Sequence, residues 1–384
     1  MSHKHISLSI VILLSVVGIL IFYDKTDPVG QISGKKIIKV GWIGSLSDQN
    51  DQKNEEMGNR LNAFRMAIDE YNHAKESKYH IEISEIDDRG LVSESERLYS
   101  NLVKNKNTKI IILNSYETYF EVTKINQENR ALIVNPVLSD QVLNQLSDDV
   151  VMTGRSSESL AEAIVDDIIG KKVDDVLILT DQKQRHLVPI RDHFKTLCSK
   201  TGLKCDQIAF DPDLDEPSQS ILSDSLAKGR KSYVFLGGPE FFDLFSSLKS
   251  GEPEALFYGL SELASFVDRE GESELMYPFF RKSDGQVNLI KEFNFKYYTS
   301  YGYTPKNLWQ VCQSYDTGKM LVNTLNQFEY NPESIDIDQL RDQFLKNKNY
   351  KGLSGLISMN PDGTSSGIQW SLYRVASASE ALEN

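Results

Sequence analysis

Two neighbouring carboxylates are the first candidates for chemistry in this chain. Asp87 and Asp88 end an apolar segment that predicts a strand over residues 79–86, and paired carboxylates can serve as a general acid and a general base. Adjacent residues of a strand, however, point to opposite faces of the sheet. We therefore expect these two side chains to orient loops rather than to share a reacting group.

Two motifs of known active or binding sites are present only in part. Gly363-Thr-Ser-Ser-Gly367 matches the G-x-S-x-G pattern of hydrolases, but it lies in a predicted turn, and the last histidine of the chain, His193, precedes it. Residues 211–215 begin like an EF-hand loop, yet the required glycine and glutamate are replaced by Glu216 and Leu222. The sequence has no Walker-type phosphate loop either. It therefore predicts a protein that is not an enzyme and that has no metal or cofactor.

The cysteines allow one disulfide. Cys198 and Cys205 flank a short segment between the end of a predicted helix and the start of the next strand. They form a local disulfide in an oxidising compartment, or they are two unrelated thiols. Cys312 is the odd residue, and we expect it to be buried.

The composition is that of a globular protein, with 40% hydrophobic and 25% charged residues in 384. A chain of this length can form two domains, each with its own core. The net charge of −13 argues against nucleic acid as a partner, because phosphate binding requires a surplus of Lys and Arg.

The amino terminus contains an uncharged apolar run over residues 6–23, preceded by Lys4. A membrane-spanning helix needs about 20 apolar residues, whereas the apolar part of a cleaved signal peptide has about 7–15. We favour an uncleaved transmembrane anchor at residues 1–23 over a signal peptide, with residues 24–36 as a tether. In both cases the body is extracytoplasmic, in the periplasm or at the cell surface, because the positive amino end stays inside.

The elements that position these residues alternate regularly. The opening strand at 37–44 is nearly continuous in apolar residues, and Leu61, Phe64 and Ile68 then recur at helical spacing. Strands follow at 79–86, 109–113, 131–134 and 150–152, with helices at 93–106, 119–129 and 157–170. Ser159 and Glu162 are predicted to form a capping box for the last of these helices.

A second series follows, and it predicts another parallel sheet. Its strands are at 173–179, 204–210, 232–236 and 255–258, and its helices at 185–201, 218–228 and 241–248. Three more helices are predicted at 287–301, 309–326 and 337–346. An antiparallel hairpin of residues 352–359 and 368–375 then closes the chain around a turn that begins at Asn360. Two lobes crossed by more than one linker can close on a ligand by hinge motion.

Several of these segments together resemble a known family. From about Lys36 to its end, the chain resembles the type I periplasmic binding proteins, specifically the leucine/isoleucine/valine-type solute receptors of ABC transporters. The resemblance rests on residues 38–44, 67–72, Asp87-Asp88, 131–136, Tyr315-Asp316-Thr317-Gly318, 350–357 and 359–363. Tyr315 and Asp316 are expected to fix helix packing at the floor of the cleft.

The resemblance implies a definite architecture. The fold is α/β, with two Rossmann-like lobes of parallel sheets joined by a multi-strand hinge, preceded here by one N-terminal transmembrane helix. We expect residues 37–153 plus 284–347 to form the first lobe and residues 154–283 plus 348–384 to form the second.

The family's ligand contacts come from loops at strand ends in both lobes. In the first lobe, the matching loops contribute Ser115, Tyr116, Glu117, Thr118, Val137, Leu138 and Ser139. In the second lobe, the corresponding residues are Gln184, Arg185, Gly238, Glu240 and Glu262. In amino-acid receptors of this family an acidic residue in the last loop takes the ligand's ammonium group, and Glu262 is the candidate for that role.

Some of these positions depart from the family pattern. Tyr116 and Glu117 are large where small hydroxyl residues are common, and Val137 and Leu138 offer few polar groups. These departures argue against simply assigning leucine, isoleucine or valine as the ligand. The resemblance predicts a protein that traps an amino acid or a related small carboxylate for the permease of an ABC transporter. The alternative is a sensory or regulatory protein that partners a membrane receptor or kinase, including one that has lost amino-acid binding.

Overall fold

A computed structural model describes most of the chain after its amino-terminal segment, namely residues 35–115, 117–140, 147–210, 229–280, 284–305, 308–329 and 335–375. The predicted anchor at 1–23, nearly all of the tether at 24–36 and the predicted helix at 218–228 lie outside the described residues. Among the helices within the described ranges, none has both the length and the apolar character that crossing a membrane requires.

The first series of strands forms a five-stranded parallel sheet in the order β2-β1-β3-β4-β6. A separate short parallel pair is formed by β5 and β7. The strands, numbered along the chain, are β1 (Lys36–Gly44), β2 (Tyr79–Asp87), β3 (Ile110–Leu113), β4 (Leu132–Asn135), β5 (Leu138–Ser139), β6 (Val150–Met152) and β7 (Arg155–Ser156).

The apolar run of β1 is explained by its central place in this sheet. Val40 and Trp42 pack in the core on one face, whereas Ile43 packs in the core on the other face. A parallel strand that is covered on both faces needs apolar residues at nearly every position. The predicted opening strand is therefore confirmed.

The second series forms a six-stranded sheet in the order β16-β12-β11-β10-β8-β9, in which only β16 runs antiparallel to its neighbour. Its strands are β8 (Asp175–Asp181), β9 (Lys204–Phe210), β10 (Ser232–Leu236), β11 (Leu256–Gly259), β12 (Leu275–Phe280) and β16 (Trp370–Arg374). The predicted parallel order is confirmed for β8 to β11, while β12 and β16 were not predicted as members of this sheet.

Helices cover the faces of both sheets. The described α-helices are α1 (Glu55–Asn72), α2 (Val92–Ser100), α3 (Glu117–Asn126), α4 (Ser157–Gly170), α5 (Leu187–Thr201), α6 (Phe242–Gly251), α7 (Ser261–Arg269), α8 (Asp284–Tyr301), α9 (Leu308–Gln327) and α10 (Ile337–Phe344). The sequence did not predict α7. The predicted capping box at Ser159 is wrong, because Ser156 caps α4 by accepting from the amide of Ser159.

Helix α9 packs closely on α1 and also holds a later segment of the chain. A Cβ atom placed on Gly318 would lie 2.7 Å from the Cβ atom of Ala67, so glycine allows this close approach. The buried carboxylate of Asp316 accepts hydrogen bonds from the amides of Leu353 and Ser354, both at 2.8 Å. Tyr315 donates to Glu70 at 2.7 Å. The predicted packing role of this pair is therefore confirmed.

The last part of the chain differs from the prediction. The strands β13 (Tyr350–Gly352), β14 (Gly355–Met359) and β15 (Ser365–Ser366) form a small antiparallel sheet. The predicted hairpin of 352–359 with 368–375 is therefore wrong, because β16 pairs with β12 instead. Ile357 and Met359 pack in the first lobe's core. The passage to the second sheet thus follows Ser366, and the lobe boundary expected at residue 348 does not follow the packing.

The cysteines pair as one of the two alternatives allowed. Cys198, near the end of α5, forms a disulfide with Cys205 at the start of β9. Cys312 lies in α9 outside the disulfide and is buried, as expected.

Candidate ligand-binding cleft

The candidate cleft lies between the lobes, where segments that follow strands of the second sheet contact helices of the first lobe. Trp309, at the start of α9, donates from its indole nitrogen to the hydroxyl of Ser261 at 3.1 Å. Ser261 begins α7, two residues after the end of β11. Arg185, which follows β8, lies 4.0 Å from the carboxylate of Glu121 on α3. Loops that end second-sheet strands therefore contact helices of the first lobe.

The two adjacent aspartates hold the loop that follows β1. Asp87 accepts from the hydroxyl of Ser47 at 2.6 Å, and Asp88 accepts from the hydroxyl of Ser45 at 2.7 Å. Asp88 also accepts from the hydroxyl of Ser95 at 2.9 Å. The two carboxylates thus hold different serine residues around the end of the strand, which confirms that the pair orients loops.

The loop after β3 presents polar groups that are buried yet unpaired. The side chain of Asn114 is 2% exposed and that of Thr118 is fully buried. None of the described residues hydrogen-bonds to the Asn114 carboxamide or to the Thr118 hydroxyl. The first-turn amides of a helix lack intrahelical partners as well, and α3 begins in this loop. Buried polar atoms usually have hydrogen-bond partners. The Asn114 carboxamide and the Thr118 hydroxyl are therefore candidates for hydrogen bonds to a ligand.

The other predicted residues of this loop are less informative. Ser115 is partly buried beside Asn114, whereas Tyr116 lies outside the described residues. Glu117 begins α3, and only its backbone is described.

In the loop after β4, Val137 and Ser139 are buried and hydrogen-bonded to other parts of the protein. Val137 is 3% exposed, and its amide donates to the side chain of Asn135 at 2.9 Å. The backbone of Leu138 belongs to β5. Ser139 donates to the carbonyl of Ser365 at 3.0 Å and accepts from the amide of Ser365 at 2.6 Å. The Ser139 hydroxyl thus holds β15 in place, and the chain makes its last passage to the second sheet directly after β15.

In the second lobe, three predicted residues form one polar cluster. The carboxamide of Gln184 donates to Asp181 at 2.8 Å and to Glu240 at 3.0 Å. Glu240 also accepts from the amide of Gly238 at 2.6 Å. This cluster joins the loops after β8 and β10. The structure thus brings together Gln184, Gly238 and Glu240, three of the predicted ligand-binding residues.

Arg185 points across the cleft. Its side chain is 64% exposed and lies 4.0 Å from Glu121, and its guanidinium carbon is 6.0 Å from the centre of the Phe120 ring. Both partners belong to α3 of the first lobe. The arginine therefore connects the two lobes at the rim of the cleft.

Glu262 lies beside Gly238, among residues of both lobes. Its carboxylate accepts from Gln310 at 3.2 Å and from Ser261 at 2.9 Å. Arg155, which is only 3% exposed, lies 4.0 Å from the same carboxylate. Arg60 of α1 donates to both Glu56 and Gln310, so the group extends into the first lobe.

The charges of this group determine its protonation. Burial would raise the pKa of the Glu262 carboxyl, but Arg155, hydrogen bonds and Arg60 together hold that pKa below its usual range. Burial, assisted by Arg155, lowers the pKa of the neighbouring His186 to about 3. At neutral pH, Glu262 is therefore ionised and His186 is neutral.

Sequence reasoning missed the first-lobe half of this group. Arg60, Arg155 and the adjacent pair Trp309-Gln310 are far apart in the sequence, and no spacing connects these three places. The one feature that could have indicated this group is Arg155 itself, because it is the single charged residue among the small residues 153–157 that connect β6 to α4.

The structure resembles solved proteins of one kind. No protein-family model and no protein of curated function matches the sequence. A leucine-binding protein, LivK, from Thermotoga maritima is 16% identical and has a TM-score of 0.72, with coverage of 86% of this chain and 93% of that one. The fold is that of type I periplasmic binding proteins.

Two further structures support this assignment of the fold. LivJ of Streptococcus pneumoniae, solved in complex with isoleucine, is 16% identical with a TM-score of 0.69, and the match covers 88% of this chain and 100% of LivJ. A solute-binding protein of an ABC transporter from R. palustris, solved in complex with benzoate, is 13% identical with a TM-score of 0.70, covering 88% and 93%. The resemblance predicted from the sequence is thus confirmed for the fold, whereas the N-terminal transmembrane helix stays a prediction.

Proposed function

We propose that this protein is an extracytoplasmic solute-binding protein that captures a small carboxylate between its lobes. The observation that carries the proposal is a pair of buried side chains after β3, Asn114 and Thr118, whose polar atoms have no hydrogen-bond partner among the described residues. A carboxamide and a hydroxyl can both donate to a carboxylate, and the start of α3 adds amide donors that favour an anion.

The second lobe supplies the other side of the cleft. Arg185 and the cluster of Gln184, Gly238 and Glu240 follow strand ends that face the first lobe. A ligand that contacts both lobes favours the closed arrangement of the two. A membrane protein then binds this closed form, and we infer that this partner is the permease of an ABC transporter. A ligand-gated membrane receptor is the alternative partner.

A thermal-shift screen of the purified full chain tests the proposal. The panel contains amino acids, short aliphatic carboxylates and aromatic carboxylates, each up to millimolar concentration. A bound ligand stabilises the folded state by about 2.7 kcal/mol when its concentration is 100 times Kd. We expect at least one carboxylate to raise the melting temperature, and no change with the matching primary amides. A panel in which no carboxylate raises it contradicts the proposal.

The amino-terminal segment is a separate part of the proposal. The apolar run at residues 6–23 leads us to infer that the protein is anchored in the inner or plasma membrane. Alkaline carbonate washing of membranes distinguishes the two alternatives, because an anchored chain stays with the membrane while a chain with a cleaved signal is released.

A further inference from the structure

The carboxylate of Glu262 already has a complete set of partners within the protein. Gln310 donates to one of its oxygens at 3.2 Å, and Ser261 donates to the other at 2.9 Å. The guanidinium of Arg155 lies 4.0 Å from the first of these oxygens. The positive charge that this acid needs is therefore present without any ligand.

Arg155 is held firmly in this place. It is buried, and its guanidinium carbon lies 5.2 Å from the centre of the Trp309 ring, within the range of a cation–π contact. Its backbone pairs with Leu138 between β5 and β7. The arginine thus sits in the crossing between the lobes, fixed by its strand and by an aromatic ring.

Two cations already act on the Glu262 carboxylate. Arg155 lies 4.0 Å from it, and Arg60, which contacts Glu56, acts with Arg155 to lower the pKa of this carboxyl. His186, partly buried near Arg155, is neutral at physiological pH. An ammonium group that approached Glu262 would place a further positive charge next to Arg155, whose side chain is 3% exposed. Like charges brought together in this way disfavour binding strongly.

We propose that Arg155 is the built-in counter-ion of Glu262 and makes the cleft select carboxylates that lack an α-ammonium group over the corresponding amino acids. This inference rests on the proposed function and narrows its ligand class. It replaces the role of ammonium acceptor that was predicted for Glu262.

The test compares ligands that differ only in the ammonium group. Isothermal titration of the full chain is carried out with 4-methylpentanoate against leucine and with 3-phenylpropanoate against phenylalanine. We expect the deaminated member of a pair to bind at least about tenfold more tightly, since each tenfold in Kd corresponds to about 1.4 kcal/mol. Arg155→Met should reduce or reverse this ratio, because Glu262 then faces the ligand's ammonium.

Two further variants keep the test decisive. Arg155→Met/Glu262→Gln removes both charges and should bring the ratio close to one, even if the single variant, in which Glu262 has lost its nearest cation, does not fold. Arg230→Met is the matched control, because Arg230 is also an arginine with a largely buried side chain, 9% exposed and paired with Asp175 at the far end of β8. Its ratio should equal that of the unmodified protein.

The outcomes separate the inference from the proposed function. If the unmodified protein binds the amino acid as tightly as its deaminated partner, the inference is wrong and the proposed function stands. A ratio that stays unchanged in both Arg155 variants also overturns the inference. If no member of either pair, and no other carboxylate, binds to the unmodified protein, the proposed function fails and the inference fails with it.

Discussion

Replacing Thr118 with valine removes one hydroxyl group and leaves the volume of the side chain almost unchanged. The hydroxyl is fully buried and has no hydrogen-bond partner among the described residues. Leaving a polar group in this state costs about 1–3 kcal/mol. We therefore expect Thr118→Val to raise the free energy of unfolding of the ligand-free protein by about 1 kcal/mol.

Ligand binding should change in the opposite direction. A hydrogen bond from a hydroxyl to a charged carboxylate contributes about 1.5–3 kcal/mol, so its loss should weaken binding about 10-fold to 100-fold. Urea denaturation measures the first effect and isothermal titration with the best carboxylate of the panel measures the second. The variant is predicted to be more stable and less able to bind.

Thr108 provides the matched control for this pair of effects. It is also a fully buried threonine with an unpaired hydroxyl, but it precedes β3, at the end of the sheet away from the cleft. Thr108→Val should stabilise the ligand-free protein to a similar degree and leave the affinity unchanged. The reasoning is refuted if Thr118→Val weakens binding no more than Thr108→Val does, or if it destabilises the ligand-free protein.

Three further predictions concern stability. Replacing Cys198 and Cys205 with serine should lower the free energy of unfolding in urea by about 2 kcal/mol, because the disulfide closes a short loop; reductant should then have no further effect. Asp140, 3.4 Å from His193, raises the pKa of that histidine above 6.5. The stabilisation is therefore present below pH 6.5 and lost as the pH rises through the raised value, and His193→Gln should abolish this dependence in denaturation at pH 5–8. Burial raises the pKa of Asp316 from 3.8 to about 6, so the stability of the unmodified protein relative to Asp316→Asn should fall by about 3 kcal/mol between pH 3 and pH 7; a constant difference would contradict this.

The strands and helices of the two lobes could largely be predicted from local pattern. Buried parallel strands such as β1 require continuous apolar residues, and the amphipathic helices between them follow the helical repeat. Helix α7 was within reach of the same reasoning, since Leu263, Ala264 and Val267 are buried at helical spacing. Strand β12 was not, because Pro278 interrupts it and a proline disfavours a strand prediction.

The end of the chain shows where local pattern stops being sufficient. The turn after Asn360 forms as its residues predict, with the amide of Gly363 donating to the Asn360 carbonyl at 3.0 Å. The partner of the last strand, however, is set by the free edge of β12 in the other lobe. A turn motif specifies a reversal of the chain, but it does not specify which strand will pair with a distant edge.

The candidate site divides in the same way. The loops at strand ends could be located from the sequence because parallel sheets bind ligands there. The pairing of Arg155 with Glu262 could not be predicted from the sequence, because the two residues are brought together only by the crossing between the lobes. The role predicted for Glu262 depended on a resemblance that does not include its partner.

The most direct test of the central claim is a crystal structure of the full chain, or of the part from residue 35 onward if that proves stable, with the best carboxylate of the panel. We predict the carboxylate oxygens within about 3 Å of the Asn114 carboxamide nitrogen and the Thr118 hydroxyl, a normal hydrogen-bond distance. A ligand bound elsewhere, or a cleft that stays empty at a saturating concentration, would contradict the account.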